Sequence, residues 1–275
     1  MGKTSIVVCG AGGKMGSLII NLAQNSTDFE IKAGIEANLE LTQKISLSGI
    51  KIGSDLSCVL SPGDIVIDFT QPDATEKFVD ICKGKKNPIV VGTTGLNKTF
   101  HKKMVDISNS IPIFFAPNMS FGVNLFFEII RFASSLLEDY EVEVSEIHHH
   151  FKKDAPSGTA KKIAEIICES SGRRFDEVVK YGRKGIDNMR SKEEIGVHSL
   201  RLGDIVGEHY VYFGGKGEIM EFVHRCYNRE SFAWGALQAA QFIKDKKPGL
   251  YNMQDLIKEH LKKACRSGQV TYTNN

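Results

Sequence analysis

The sequence lacks a marked excess of charge of either sign, because 35 Lys and Arg residues are set against 33 Asp and Glu residues, for a net charge of +2. This balance argues against a general electrostatic surface for nucleic acid or for an anionic membrane. Long apolar runs are missing too. The most apolar long stretch, residues 121–137, contains Asn124, Glu128 and Arg131, so it is too short and too polar to span a bilayer.

Cysteines with the spacing of a metal or redox motif are also missing. The six cysteines are scattered, with no C-x-x-C pair among them, and no charged segment followed by an apolar one opens the sequence. We therefore expect a protein of the reducing cytoplasm. No internal repeat or low-complexity segment appears, and 275 residues suffice for one large domain or two modest ones.

What the first 118 residues do contain is a regular alternation of short apolar runs and helical patterns. The predicted strands are 5–9, 30–35, 65–69, 89–91 and 113–115. The predicted helices are 14–25, 74–83 and 98–109. This alternation predicts a parallel sheet with helices on both faces. The strands are apolar throughout, which is typical of a sheet that is buried on both faces.

A different pattern begins near residue 119. A long helix over about 121–138 precedes a strand-like segment at 141–150, and a second helix starts near Ser157. Two long strand-like runs follow at 198–214 and 218–228, and the chain is helical again over 233–244. This order predicts an α+β module with an antiparallel or mixed sheet. The predicted fold class is thus α/β, with a parallel-sheet domain and a second α+β domain.

The loops after the predicted parallel strands are candidate ligand-binding segments, since ligands of an open parallel sheet bind beyond the carboxyl ends of its strands. The first strand leads into GAGGKMG. Its glycines follow the pattern G-x-x-G-x-x-G, at Gly10, Gly13 and Gly16. They do not follow the usual G-x-G-x-x-G, because Met15 stands where that pattern requires its third glycine. The helix that follows would direct its first amides at a pyrophosphate.

The other strand ends support the same interpretation. The second strand ends at Glu36, where a carboxylate can accept the hydroxyls of an adenosine ribose. The next three end in the segments 68–70, 92–95 and 116–119, which are rich in Gly, Thr or Asn. Four such exits at one edge of a sheet predict a dinucleotide site.

A second group of polar residues lies in EIHHHFKKDAPSGTA, residues 146–160. On a strand, His148 and His150 would share one face and His149 would take the other. A zinc site needs three or four converging ligands, whereas neighbouring strand residues diverge and no suitably spaced partner follows. We therefore expect no metal.

The residues after the histidines favour an anion site. Asp154 or Ser157 can cap the following helix, and Gly158 would leave the first helical amides open to an anion. Lys152 adds a positive charge, and His148 can move protons near neutral pH. Together these groups predict a site for a small carboxylated substrate.

These segments together resemble the dihydrodipicolinate reductase family over about residues 5–256. The resemblance rests on GAGGKMG, DFT, GTTG, APNMS-x-GVN, E-x-HH-x-x-K-x-DAPSGTA and RLGDIVGEH. It implies a Rossmann-type nucleotide domain at 1–119, on which 232–275 pack, and a substrate-binding and tetramerisation domain at 120–231. The implied activity is NAD(P)H-dependent hydride transfer to a cyclic dicarboxylate in diaminopimelate and lysine biosynthesis, by a homotetramer.

The resemblance also implies roles for individual residues. The catalytic pair would be His148 and Lys152, with Lys152 expected to donate the proton. The implied substrate-binding residues are His149, Lys152, Ser157, Gly158 and Thr159, and the two substrate carboxylates are expected to bind the amides of residues 157–159 and Lys152. The implied cofactor-binding residues are Gly10, Ala11, Gly12, Gly13, Lys14, Met15, Glu36, Gly92, Thr93, Thr94, Ala116, Pro117, Asn118 and Met119.

One position departs from a common pattern of the family. Many members carry a basic residue after the acidic one at the end of the second strand, where it can meet the 2′-phosphate of NADP. Here Glu36 is followed by Ala37 and Asn38, and Lys14 is the remaining candidate. We predict that both cofactors work, with NADH at least as good as NADPH.

Two other functions fit part of the sequence. Another two-domain dehydrogenase of amino-acid metabolism would explain the nucleotide half but not DAPSGTA. A non-catalytic nucleotide-sensing protein would bind the cofactor without turnover, although His148 and Lys152 are both present.

Overall fold

The computed structural model describes residues 2–38, 40, 49–186 and 189–267. The chain divides into two compact units, the first formed by Met1–Phe121 with Arg229–Asn275 and the second by Gly122–Asn228. Residues 268–275, the end of the segment expected to pack on the nucleotide domain, lie outside the described residues.

The elements are numbered along the chain. The strands are β1 (Thr4–Cys9), β2 (Phe29–Ile35), β3 (Ile52–Gly53), β4 (Ile65–Asp68), β5 (Ile89–Val91), β6 (Pro112–Phe115), β7 (Glu141–His148), β8 (Val179–Tyr181), β9 (Ile195–Arg201), β10 (Gly207–Gly215), β11 (Glu218–Cys226) and β12 (Gly249–Tyr251). The helices are α1 (Lys14–Gln24), α2 (Leu56–Val59), α3 (Pro72–Lys85), α4 (Lys98–Ser108), α5 (Phe121–Leu136), α6 (Gly158–Ser171), α7 (Phe175–Val178), α8 (Glu230–Ile243) and α9 (Met253–Arg266).

The first unit is built on a seven-stranded sheet in the order β12-β6-β5-β4-β1-β2-β3. Every pairing in it is parallel. Side chains of β1 alternate between two cores, with Ile6 and Val8 packed in one and Val7 and Cys9 in the other. The strands are apolar throughout because each face of the sheet is covered, as the sequence predicts.

The C-terminal helices return to this first unit. Helix α8 packs alanines against the core on the Ile6 side, and a Cβ on Gly235 would overlap the Met119 carbonyl oxygen. Asn252 and Asp255 form a capping box at the start of α9, so local hydrogen bonds define where that helix begins. Strand β12 and helix α9 are absent from the elements predicted from the sequence.

The second unit contains a five-stranded mixed sheet in the order β11-β10-β7-β9-β8. Its central strand β7 is antiparallel to β10 and parallel to β9. Helices α5 and α6 contribute most of the helical side chains of the core on one face of this sheet. The predicted fold class is confirmed, since a parallel sheet with two covered faces accompanies an α+β unit with a mixed sheet.

One strand prediction is wrong. The run 198–214, expected to be continuous, is the end of β9 and most of β10, separated by residues 202–206. These two strands flank opposite sides of β7, so the chain must cross the end of β7 between them. The amide of His149 donates to the Ile205 carbonyl oxygen at 2.7 Å, and the Leu202 amide donates to the His148 carbonyl oxygen at 3.0 Å.

Within the described residues, none of the helices combines the length and apolar character that crossing a membrane requires.

Candidate active site

The first candidate region lies at the carboxyl edge of the parallel sheet, where β1 and β4 are neighbours. The chain runs from β1 to β2 on one side and reaches β4 on the other, so the strand order reverses there. Such a reversal opens a crevice between the loops that follow the two strands. Here these loops are the glycine loop 10–13 and the segment 69–71.

The glycine loop needs its glycines for space. Gly10 has a φ of +74°, and a Cβ there would lie 2.8 Å from the Phe69 carbonyl oxygen. A Cβ on Gly16 would overlap the Gly10 carbonyl oxygen. The first helix can therefore begin directly against the strand only with glycine at both positions.

All four amides of this loop already have acceptors. The amides of Gly10 and Ala11 donate to the Ile35 carbonyl oxygen, and the Gly13 amide donates to the Gly10 carbonyl oxygen. The Gly12 amide donates to Glu36 Oε2 at 3.0 Å.

The amides of the first turn of α1 are different. The amides of Lys14 and Met15 donate no hydrogen bond to any of the described residues. Open amides at a helix N-terminus fit the pyrophosphate of a dinucleotide. The glycine loop and these amides therefore fit a dinucleotide.

Glu36 follows β2, and its two carboxylate oxygens accept one amide of the glycine loop and one amide of its own segment. Its Oε2 accepts from the Gly12 amide, and its Oε1 accepts from the Asn38 amide at 3.0 Å. Ala37 and Lys14 are exposed, and among the described residues Lys14 makes no ion pair. Lys14 is thus a free cation beside the loop.

The remaining cofactor candidates divide into exposed and buried residues. Thr94 and Pro117 are exposed and Asn118 is half-buried, whereas Ala116 and Met119 are buried in the core. Ala116 and Met119 can contribute their backbone to a ligand but not their side chains. Gly92 also has a steric role, because a Cβ there would overlap the Phe69 ring.

A buried acid beneath these loops lies in the predicted strand end 68–70 but is not among the individual site residues predicted from the sequence. Asp68, at the end of β4, is fully buried and accepts hydrogen bonds from the hydroxyls of Thr70 at 2.6 Å, Thr75 at 2.5 Å and Thr93 at 3.2 Å. Burial raises the pKa of the Asp68 carboxyl, against the effect of these donors. The network joins the loop after β4 to the loop after β5.

The second candidate region lies in the second unit, at the end of β7. Alternation along this strand places Val142, Val144, Glu146 and His148 on the covered face of the sheet. The first two belong to the apolar core, whereas Glu146 and His148 continue the same face with polar groups. A buried acid and a buried imidazole therefore occupy positions where packing alone would favour apolar side chains.

Glu146 is surrounded by donors. Its Oε1 accepts from Arg201 Nη2 at 2.8 Å and from the Ser157 amide at 3.1 Å. Its Oε2 accepts from Arg201 Nη1 at 2.8 Å and contacts His148 Nδ1 at 2.5 Å. Burial acts to raise the pKa of Glu146, but the hydrogen bonds from His148 and Arg201 outweigh it and hold this pKa well below its usual range.

Two further histidines extend the cluster on β10 and β11. The His209 ring lies 5.3 Å from the His148 ring and 6.5 Å from the His224 ring, between centroids. His209 Nε2 is 3.2 Å from Ser157 Oγ, and its buried Nδ1 has no hydrogen-bond partner among the described residues. Burial, with the nearby His148 and His224, lowers the pKa of His209 to about 3, so its imidazole is neutral near neutral pH.

The three adjacent histidines are not arranged as the sequence predicts. Strand β7 ends at His148, so His149 and His150 belong to the turn that follows and do not alternate across a sheet. His150 is exposed, with Nδ1 2.8 Å from the Gly203 carbonyl oxygen. His149 is half-buried, and its Nδ1 is buried without a hydrogen-bond partner within the described ranges. Nor do the described His, Cys, Asp and Glu side chains form a group of three that could hold a metal ion.

Lys152 is half-buried beside an exposed acid. Its Nζ lies 2.8 Å and 3.0 Å from the two carboxylate oxygens of Asp154. The side chain of Asp154 is 61% exposed, against 20% for Lys152. The ion pair therefore connects the ammonium group to solvent.

Helix α6 begins with its cap already formed. Ser157 Oγ accepts from the Ala160 amide at 3.1 Å, and the Ser157 amide donates to Glu146. Contrary to expectation, the Ser157 amide is thus not open to a ligand. The amides of Gly158 and Thr159 donate no hydrogen bond within the described part of the chain. These two donors can therefore bind a carboxylate.

Glu146, Arg201 and His209 are missing from the site residues predicted from the sequence. A usable signal is the period of two along each strand. Glu146 follows Val142 and Val144 on one face, and His209 shares a face with Val211 and Phe213. A charged or ionisable residue that continues an apolar face is a candidate for a buried polar network.

Comparison with known proteins supports one family for both units. The family models "Dihydrodipicolinate reductase, N-terminus" and "Dihydrodipicolinate reductase, C-terminus" match residues 4–119 and 122–257. A 4-hydroxy-tetrahydrodipicolinate reductase of Syntrophus aciditrophicus is 42% identical over 260 residues, which is 91% of this chain and 97% of that protein. The reductase of the same name from Geobacter sulfurreducens is 42% identical over 263 residues, with 92% and 98% covered.

A solved structure shares the fold. The dipicolinate-bound dihydrodipicolinate reductase from Paenisporosarcina sp. TG-14 superposes with a TM-score of 0.75 at 23% identity, over 91% of this chain and 97% of that one.

Proposed function

The chain belongs to the dihydrodipicolinate reductase family, and on that basis we propose that it reduces 4-hydroxy-tetrahydrodipicolinate to tetrahydrodipicolinate with NAD(P)H, a step in diaminopimelate and lysine biosynthesis. The observation that carries this function is the family match to both units, over residues 4–119 and 122–257. The open amides in the first unit and the polar cluster in the second supply the two kinds of binding group that such a reaction needs.

We propose that the first unit binds the dinucleotide through its carboxyl-edge loops. The pyrophosphate would accept hydrogen bonds from the free amides of Lys14 and Met15. The hydroxyls of the adenosine ribose would donate to the Glu36 carboxylate and replace the hydrogen bonds that it accepts from the Gly12 and Asn38 amides. The other cofactor-binding residues of this proposal are Gly10–Gly13, Gly92–Thr94 and Ala116–Met119.

In the second unit, the substrate carboxylates would bind the amides of Gly158 and Thr159 together with the Lys152 ammonium. The Ser157 hydroxyl and the half-buried His149 ring complete the proposed substrate site. Charge-assisted contacts of this kind are stronger than neutral ones, and an acid without both carboxylates should bind weakly.

When bound, the reduced nicotinamide supplies the hydride. The 4-hydroxyl group of the substrate leaves as water, hydride adds to the unsaturated ring, and Lys152 donates a proton as negative charge develops there, so that one hydride and one proton are gained and one water is lost. His148 supports this proton transfer from the buried end of β7. Asp154 keeps the ammonium beside solvent, from which a proton can be restored. One well-placed acid contributes about 10²–10⁴ in rate, and donors aimed at developing charge strengthen during the step.

The experiment is NADH oxidation with the freshly made product of dihydrodipicolinate synthase. Substrate-dependent loss of NADH absorbance is expected, and no loss should occur when that synthase is omitted. Binding of NADH without turnover would instead support a nucleotide-sensing protein.

We also propose a homotetramer in which the uncovered sheet faces of the second unit associate. Residues Leu200, Tyr210, Tyr212 and Val223 lie on the face that α5 and α6 leave uncovered, and Leu200 is 44% exposed there. Apolar groups on an uncovered sheet face are typical of an interaction surface. All six cysteines are free, which supports a cytoplasmic location.

A further inference from the structure

The contact between Glu146 and His148 determines which imidazole nitrogen carries a proton. Glu146 is fully buried, and a buried carboxylate stays charged only when donors surround it. Here Arg201 and the Ser157 amide supply donors that cannot act as acceptors. The carboxylate is therefore ionised, and it can only accept from His148 Nδ1.

The other nitrogen of His148 has a different environment. Strand β10 approaches His148 Nε2 at Gly207, where a Cβ would lie 2.9 Å from that nitrogen. Glycine at this position leaves Nε2 uncovered by a side chain. The two ring nitrogens thus face an ionised acid on one side and a bare backbone on the other.

We propose that Glu146 is the positioning residue of His148: its carboxylate keeps a proton on Nδ1 and leaves Nε2 as the nitrogen that gains or loses a proton during reduction. This inference rests on the proposed function, in which His148 supports proton transfer. The carboxylate that holds His148 also holds the Ser157 amide, so the imidazole and the start of the substrate-binding helix share one support.

Arg201 makes this arrangement possible in a buried place. Its guanidinium contacts both carboxylate oxygens of Glu146, and Nη2 also donates to the Asp154 carbonyl oxygen at 2.7 Å. A bidentate guanidinium fixes the orientation of a carboxylate as well as neutralising it. The plane of the Glu146 carboxylate is therefore set before His148 contacts it.

The remaining ionisable groups near His148 do not compete for Nδ1. His209, on β10, meets the His148 ring at an interplanar angle of 75° and bonds Ser157. Lys152, in the loop before α6, is paired with Asp154. Among the described residues, Glu146 is the only acidic residue in contact with His148 Nδ1.

The variant Glu146→Gln tests the proposal because an amide cannot accept at both of its atoms. With its oxygen toward the Ser157 amide and Arg201 Nη2, the amide has one donor facing its NH₂ group, Arg201 Nη1, whereas the reversed amide would have two, so the NH₂ group faces His148. Nδ1 then becomes an acceptor, and the proton moves to Nε2. Replacing an orienting carboxylate by an amide produces the wrong histidine tautomer in this way.

The measurement is ¹⁵N NMR of histidine-labelled protein, with the His148 signals assigned by His148→Gln. We expect the Nδ1–H tautomer in the wild type and the Nε2–H tautomer in Glu146→Gln. The kcat of the variant should fall by about 10²-fold or more, with the Kd for NADH unchanged. Glu141→Gln is the matched control, because it makes the same change at the exposed start of the same strand, and it should alter neither the tautomer nor kcat.

A second variant acts on the other nitrogen. Gly207→Ala would place a methyl group against Nε2 without touching Glu146, and we expect kcat to fall while the Nδ1–H tautomer persists. An Nε2–H tautomer in the wild type would overturn the proposal, as would an unchanged tautomer in a folded Glu146→Gln protein. If Glu146→Gln does not fold, the proposal is tested by the tautomer of His148 in the wild type and by the kcat and tautomer of Gly207→Ala.

The tautomer is measured without substrate. Failure of the proposed function, seen as no turnover by the wild type, is therefore distinguishable from failure of this inference.

Discussion

Glu36 and Gly12 are joined by a hydrogen bond of 3.0 Å from the Gly12 amide to the Glu36 carboxylate. A carboxylate at this place repels a 2′-phosphate and suits a free ribose hydroxyl. We expect kcat/KM with NADH to be at least equal to that with NADPH, measured by steady-state kinetics with both cofactors at several ionic strengths. A strong preference for NADPH would contradict this prediction.

Lys14 should account for the use of NADPH. It is exposed beside the glycine loop and has no ion pair among the described residues, so its ammonium can meet a phosphate. Lys14→Ala should lower kcat/KM with NADPH by about 5-fold, as for one exposed charge contact of about 1 kcal/mol, and leave kcat/KM with NADH unchanged. Lys98→Ala, which removes an exposed lysine at the start of α4, should change neither value.

Lys152 should be required for turnover but not for cofactor binding. Lys152→Ala removes the proposed proton donor, and kcat should fall by about 10²–10⁴-fold. The Kd for NADH, measured by fluorescence titration, should stay that of the wild type. Lys161→Ala, an exposed position of α6, is the control for loss of a nearby positive charge, and normal turnover by Lys152→Ala would rule out Lys152 as the donor.

His209 should make the protein less stable as the pH falls. Its pKa is about 3 when folded, against 6.5 as its ordinary value, so below about pH 6.5 the unfolded chain gains a proton that the folded chain does not. Stability should fall toward acid pH by up to about 1.4 kcal/mol per pH unit from this group. His209→Gln should flatten that slope in urea unfolding at fixed protein concentration, whereas His260→Gln, at an exposed site, should retain it.

Thr75 should stabilise the first unit through Asp68. Thr75→Val keeps the shape but removes a buried donor to this carboxylate, at a cost of about 1–3 kcal/mol in the free energy of unfolding. Because the pKa of Asp68 is raised, the acid becomes charged only at higher pH, and the loss should grow as the pH rises through that pKa. Urea unfolding at acidic and at neutral pH measures this difference, with Thr99→Val at an exposed site as the control.

The uncovered sheet face should hold the proposed tetramer together. Leu200→Glu places a charge on that face and should reduce the molecular mass found by size-exclusion chromatography with light scattering. Leu261→Glu, on α9 and 43% exposed against 44% for Leu200, should leave the mass unchanged. Equal masses for the two variants would exclude this face as the interface.

The sequence by itself determined the fold class and most elements. Strands such as Ile89–Val91 and helices such as Lys98–Ser108 begin where the apolar periods and local caps predict. The motifs also identified the family, because GAGGKMG and DAPSGTA are continuous in the chain. Local patterns of this kind need no knowledge of distant residues.

Only the tertiary structure decided the partners of the buried charges. Glu146 and Arg201 are 55 residues apart in the sequence, and Asp68 accepts a hydrogen bond from Thr93, 25 residues away. No short window of sequence therefore contains either network. The break between β9 and β10 contains a local turn signal, Gly203 with a φ of +56°, but only the sheet topology decided that the two strands flank opposite sides of β7. Buried polar groups must find donors or acceptors wherever the fold supplies them, and here sheet topology decided which distant residues met.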